Sequence, residues 1–116
     1  MGLLTKEQIL AAEDRRYELV GVPEWGGTVR VGEMSALQRD RWDAALIKRR
    51  EGADDLSVRA LVVAFCIVDD AGAPIFTSED VVALGAKSGK ALDRVFEVAA
   101  RINALTKASA EEQRGN

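Results

Sequence analysis

The sequence predicts an α+β fold, mostly helical, in which an N-terminal β-hairpin is followed by a small bundle of four to five helices. Three observations carry this. Tyr17-Glu18-Leu19-Val20-Gly21-Val22 and Thr28-Val29-Arg30-Val31 are strand-forming runs around Pro23-Glu24-Trp25-Gly26-Gly27, a five-residue loop with glycines able to take positive φ. Leu92, Val95, Phe96, Ala99 and Ile102 recur at i, i+3, i+4, i+7 and i+10, the stripe of a helix buried on one face. Thr5-Lys6-Glu7-Gln8 and Ser35-Ala36-Leu37-Gln38 both have the capping-box form that opens a helix.

Taken in order, the first box opens a short helix through Ile9, Leu10, Ala11 and Ala12, ending near Arg15. The hairpin follows over residues 16–33. The second box opens a helix running to Arg50, with Trp42, Ala45 and Leu46 on one face. Glu51-Gly52-Ala53-Asp54-Asp55 breaks it: Gly52 suits the exit, and Asp54 or Asp55 can cap the next element. Residues 57–68 are the most apolar stretch, without clean alternation, and read as a buried helix. Their Val58, Val62, Val63, Ile67 and Val68 keep a strand open as the alternative, above all at the end.

Asp69-Asp70-Ala71-Gly72 is a turn, and Ala73-Pro74-Ile75-Phe76 a short extended piece. Thr77-Ser78-Glu79-Asp80 caps a short helix carrying Val81, Val82 and Leu84. The last helix is expected over residues 90–105, with Glu97 and Arg101 as an i,i+4 pair on its polar side. Residues 1–106 form a single α+β domain on this reading, and residues 107–116 a polar tail expected to be disordered.

Composition narrows the chemistry. The 116 residues suit one domain, and 47% hydrophobic content supplies one modest core, built from Val, Leu, Ile and Ala because aromatics are only 5%. There is no histidine, which removes Ser-His-Asp triads, Cys-His nucleophiles, HExxH zinc sites and imidazole switches. The single cysteine, Cys66, lies in an apolar run and reads as a buried thiol; no intramolecular disulfide can form. A net charge of −3 disfavours nucleic acid and anionic membrane as partners. No stretch is long enough to span a membrane, no secretory signal is visible, and Lys6 stands where a myristoylation signal needs Ser or Thr; the cytoplasm is the expected compartment.

Candidate sites dissolve on inspection. Gly85-Ala86-Lys87-Ser88-Gly89-Lys90-Ala91 has one residue too few between its glycines for a phosphate loop, and Ala91 replaces the metal-holding hydroxyl. Asp69-Asp70-Ala71-Gly72 is a fragment of a calcium loop with Ala71 at a ligand position, so a capped turn is favoured. No catalytic, cofactor-binding or metal-binding residue is assigned. Arg39, Arg41, Lys48, Arg49 and Arg50 could make residues 39–50 a basic helix for nucleic acid, but Asp40, Asp43 and Glu51 interrupt it and a solvated face is favoured. Trp25 is either folded onto the core as a lid or exposed as an anchor for a partner. Pro23, Trp25, Trp42 and Phe96 are the candidate partner-binding residues.

The pattern as a whole resembles the tail assembly chaperones of long, flexible-tailed bacteriophages and related prophages. The resemblance is carried by Leu4-Thr5-Lys6-Glu7-Gln8-Ile9-Leu10, Val22-Pro23-Glu24-Trp25-Gly26-Gly27-Thr28-Val29-Arg30-Val31, Val68-Asp69-Asp70-Ala71-Gly72-Ala73-Pro74-Ile75-Phe76-Thr77-Ser78-Glu79-Asp80-Val81, Leu84-Gly85-Ala86-Lys87-Ser88, Leu92-Asp93-Arg94-Val95-Phe96 and Leu105-Thr106. It covers residues 3–105, and its order and spacing are more telling than any one segment. It implies a protein that is not an enzyme and takes no cofactor. Such a protein binds the long helical tape measure protein, helps tail-tube subunits polymerise around it, and is absent from the finished virion. Many members are also made in a longer form by ribosomal frameshifting, whose extension recruits tube protein; here it would attach at the polar tail. A groove formed around Trp42 and residues 92–102, with the Trp25 loop beside it, is the expected helix-holding surface. Self-association through a helix face or hairpin edge stays open. The rival is a small nucleic-acid-binding regulator using residues 39–50.

Overall fold

The computed structural model describes residues 2–50 and 57–105. Helix α1 spans Lys6–Ala11, strand β1 Tyr17–Val22, β2 Gly27–Gly32, α2 Ala36–Arg50, α3 Val58–Cys66, β3 Ile67–Val68, α4 Val81–Gly85 and α5 Gly89–Ile102. The fold is α+β and mostly helical, as expected: a hairpin followed by helices.

Both capping boxes form. Thr5 accepts from Gln8 N while the Gln8 side chain accepts from Thr5 N, and Ser35 and Gln38 exchange the same two bonds. Two orphan N–H groups are satisfied each time, which is why these helices begin where they do. Helix α1 ends at Ala11, short of Arg15, because Ala12 is extended and no described residue buries the helix to carry it further.

In the hairpin, Val22 pairs with Gly27, so the loop is four residues and not five. Pro23–Trp25 is a 3₁₀ turn closed by Gly26 at φ 77°. Gly26 alone takes the left-handed conformation; Gly27 already belongs to β2. Val20, Val22 and Val31 are buried on the inner face, whereas Leu19 points to solvent.

Residues 57–68 satisfy both sequence readings. The helix runs to Cys66, and Ile67–Val68 then pairs antiparallel with Arg30 and Val31, turning the hairpin into a three-stranded sheet of order β1-β2-β3. Ser57, not Asp54 or Asp55, caps α3, its hydroxyl accepting from Ala60 N. The helix is capped by the nearest oxygen in register with its first free N–H groups. Gly52, Asp54 and Asp55 lie outside the described residues, as do residues 106–116 with the expected tail.

Helices α3 and α5 pack on each other, and α5 also lies across β1 and β2. Leu61, Val62, Val63, Ile67, Val81, Leu92, Val95 and Ala99 form the centre of the core with the hairpin valines. Helix α5 begins at Gly89, capped by Ser88, and ends at Ile102 rather than Leu105 because Asn103 turns the chain inward.

A candidate binding groove

The features that first suggested chemistry are structural in the fold. Asp69 Oδ1 accepts from Ala71 N and Ala73 N at 2.9 and 3.0 Å, so its carboxylate closes the turn that Gly72 allows at φ 85°. The Ser88 hydroxyl is spent on Ala91 N, capping α5 where a phosphate-loop reading would look for ligand contacts. Cys66 is fully buried, and burial pushes its thiol up to about 12, which keeps it protonated at neutral pH. Among the described residues no cluster of three potential metal ligands occurs, and no helix is long and apolar enough to cross a membrane.

The four candidate partner-binding residues do not share one surface. Trp42 is 3% exposed and belongs to the core; its indole N–H has no hydrogen-bond partner among the described residues. Trp25 is half-buried and packs against the core, as a lid would. Phe96 is also half-buried against the core, with the Arg59 guanidinium 6.0 Å from its ring centre. Only Pro23 is exposed. Of the residues expected to line a groove around Trp42 and residues 92–102, Trp42, Leu92, Val95 and Ala99 are buried, and α5 packs with them on α3 and the sheet. An amphipathic stripe in a sequence looks the same whether it is covered from within or from outside.

Two ion pairs hold the Trp25 loop and the hairpin onto that seam. Arg94 donates to both carboxylate oxygens of Glu24 at 2.6 and 2.9 Å, and Arg101 donates to Glu18 at 2.7 Å. Arg94 and Arg101 stand seven residues apart, on one side of α5, so a single helix edge clamps the strand β1 and its turn. The pairing of Arg101 with Glu18 replaces the expected in-helix partner Glu97. The Arg94 fork holds the Glu24 carboxyl down to about 2, and Glu24 in turn raises Arg94.

The open apolar surface lies elsewhere. A groove of about 770 Å³ runs between α2, the end of α3 and the extended segment after β3. Leu37, Ala44 and Ala45 of α2 line it with Ala64 and Phe65 of α3 and with Pro74 and Phe76 of the extended segment. Leu37 is 58% exposed. Among the described residues no carboxylate lines the groove, and Arg41 is the one charged lining residue. Of the basic set, Arg39 instead turns inward, donating to the Asn103 carbonyl at 3.3 Å and meeting Asp43. Arg39 and Arg41 therefore face different ways, and the side chains of Arg49 and Arg50 lie outside the described residues. Sequence inspection missed the groove because Leu37, Phe65, Pro74 and Phe76 come from three separate elements, and no spacing links them.

The scaffold is thus a small α+β fold that carries an apolar groove among its described residues. The sequence model of the phage tail assembly chaperones matches residues 5–116, and the chain belongs to that family. Among solved structures, that of the bacteriophage HK97 tail assembly chaperone shares the fold, with a TM-score of 0.56 and 22% identity over 83% of this chain and 90% of that chain. No curated protein matches the chain.

Proposed function

We propose that this tail assembly chaperone binds the tape measure protein in the cytoplasm of the bacterial host, keeps it soluble, and promotes polymerisation of tail-tube subunits around it without entering the virion. Family membership supports the role. The observation that carries the binding step is the groove lined by Leu37, Phe65 and Phe76, which suits the apolar face of an amphipathic helix. A long helical client would otherwise expose that face and aggregate. A frameshifted longer form, extended from the polar end, would bring the tube protein to the same complex.

Co-expression with the tape measure protein tests the reading. The expected outcome is copurification and a soluble client, lost with Leu37→Asp, whose exposed position leaves the fold unaltered. A client that stays insoluble, or fails to copurify with the unaltered chain, overturns it.

A further inference from the structure

Helix α2 turns two cations outward along the groove. Leu37, Arg41, Ala44 and Lys48 fall within about 60° of one another around a helix of 3.6 residues per turn, and all four are exposed. Leu37, Arg41 and Ala44 line the groove, and Lys48 stands two turns beyond Arg41, roughly 10 Å along the helix axis. Neither cation has a hydrogen bond or ion pair among the described residues. Arg41 has no acid within reach on its own helix: Leu37, Gln38, Ala44 and Ala45 occupy the positions three and four residues away, and Asp40 lies about 100° round the helix. Arg39, by contrast, is spent on Asp43 and the Asn103 carbonyl.

The polar rim of the groove points the same way. Gln38 Oε1 accepts from Ser35 N, and Ser35 Oγ accepts from Gln38 N. What these two lining side chains have left for a ligand is chiefly N–H and O–H. An apolar groove edged by cations and donors recognises apolar surface edged by acceptors.

We propose that the groove selects an amphipathic helix whose apolar face is bordered by two carboxylates seven residues apart, and that Arg41 and Lys48 are the residues that read them. This rests on the client reading above and adds which helices of a client the chaperone takes. A helix lying along α2 has the same rise per residue, so acids at i and i+7 repeat at the spacing of the two cations. Seven residues is also the repeat that keeps a position beside an apolar stripe. Exposed ion pairs are individually weak, so the apolar contacts supply the affinity and the charges choose among helices, attracting an acid border and repelling a basic one.

Fluorescence anisotropy with the purified full chain is the test. Three labelled synthetic helices of roughly 18 residues, about five turns, share one Leu face. They differ only at two border positions seven residues apart, which hold Glu, Gln or Lys. The Glu helix should bind at least about five-fold tighter than the Lys helix at low salt, with the Gln helix between, and the gap should close as salt rises. A helix of equal charge, with both Glu moved opposite the Leu face, should bind like the Gln helix. Arg41→Glu/Lys48→Glu should invert the order, and Leu37→Asp should weaken all of them; circular dichroism with a thermal melt checks that each variant keeps its fold. Equal binding of the three helices overturns the selection and leaves the client reading standing. So does an order that the double variant leaves unchanged. A Glu helix that does not bind, as when a second copy fills the groove, also overturns the proposal. A tape measure protein that fails to copurify while the order of the helices holds removes the client and keeps the selection.

Discussion

Asn103 makes three hydrogen bonds with its side chain from a position only 8% exposed. Its Oδ1 accepts from Met34 N at 2.7 Å, and its Nδ2 donates to the Ala99 carbonyl at 2.9 Å and to Cys66 Sγ at 3.4 Å. One amide thus joins the end of α5, the turn after β2 and the end of α3. Asn103→Ala leaves the Met34 N–H buried and unpaired, and should lower unfolding free energy by about 1–3 kcal/mol in chemical denaturation. Glu24 gives a pH signature. Its carboxyl sits at about 2 in the folded chain against 4.5 for the free group. A depressed folded value adds stability that is present above pH 4.5 and is lost as pH falls toward 2. Melting temperature should therefore fall over that acid window, and Glu24→Gln should flatten the fall while lowering stability at neutral pH. Neither role shows in the sequence, since Asn103 reads as a helix-end residue and Glu24 as a loop carboxylate. Met34 lies 69 positions from Asn103 along the chain, and Arg94 lies 70 from Glu24.

The elements themselves were largely readable, because their signals are local. The two capping boxes, the hairpin glycine pair and the α5 stripe each lie within a few residues and act through adjacent backbone. Boundaries moved where a tertiary contact took over: α5 stops at Ile102 because Asn103 enters the core, and β3 peels off α3 because β2 offers it a free edge. Gly72 shows the same coupling. Its φ of 85° lets the turn close, and a Cβ there would stand 2.7 Å from the Tyr17 hydroxyl. The Trp25 turn is also an element-level device, a lid that Glu24 and Arg94 pull onto the core. Trp25→Ala should lower thermal stability by about 1–3 kcal/mol, since the side chain is half-buried, while the hairpin register persists. Near-normal melting would instead assign the indole to a partner.

For the molecule as a whole, stability is unevenly spread. Helices α3 and α5 and the inner hairpin face share one core, whereas α1 buries none of its residues against the described part of the chain. Hydrogen exchange on dilute protein should show α1 amides exchanging almost as fast as an unfolded chain, with the slowest amides in α3 and α5. Uniform protection across α1 and α3 would contradict this hierarchy. What the sequence by itself determined was the class of fold, the order of its elements and the removal of histidine-based chemistry, because composition, capping and periodicity act over a few residues. It also carried the family resemblance, which rests on order and spacing along the chain. Only the tertiary structure decided which apolar stripes are consumed inside: the Trp42 and α5 faces are core, while the groove of Leu37, Phe65 and Phe76 and the arm of Leu4, Ile9 and Leu10 are left outside. Hydrophobic burial is non-directional. A stripe in a sequence says that a face must be covered, and the packing of the other elements decides whether the cover is the chain itself or something it binds.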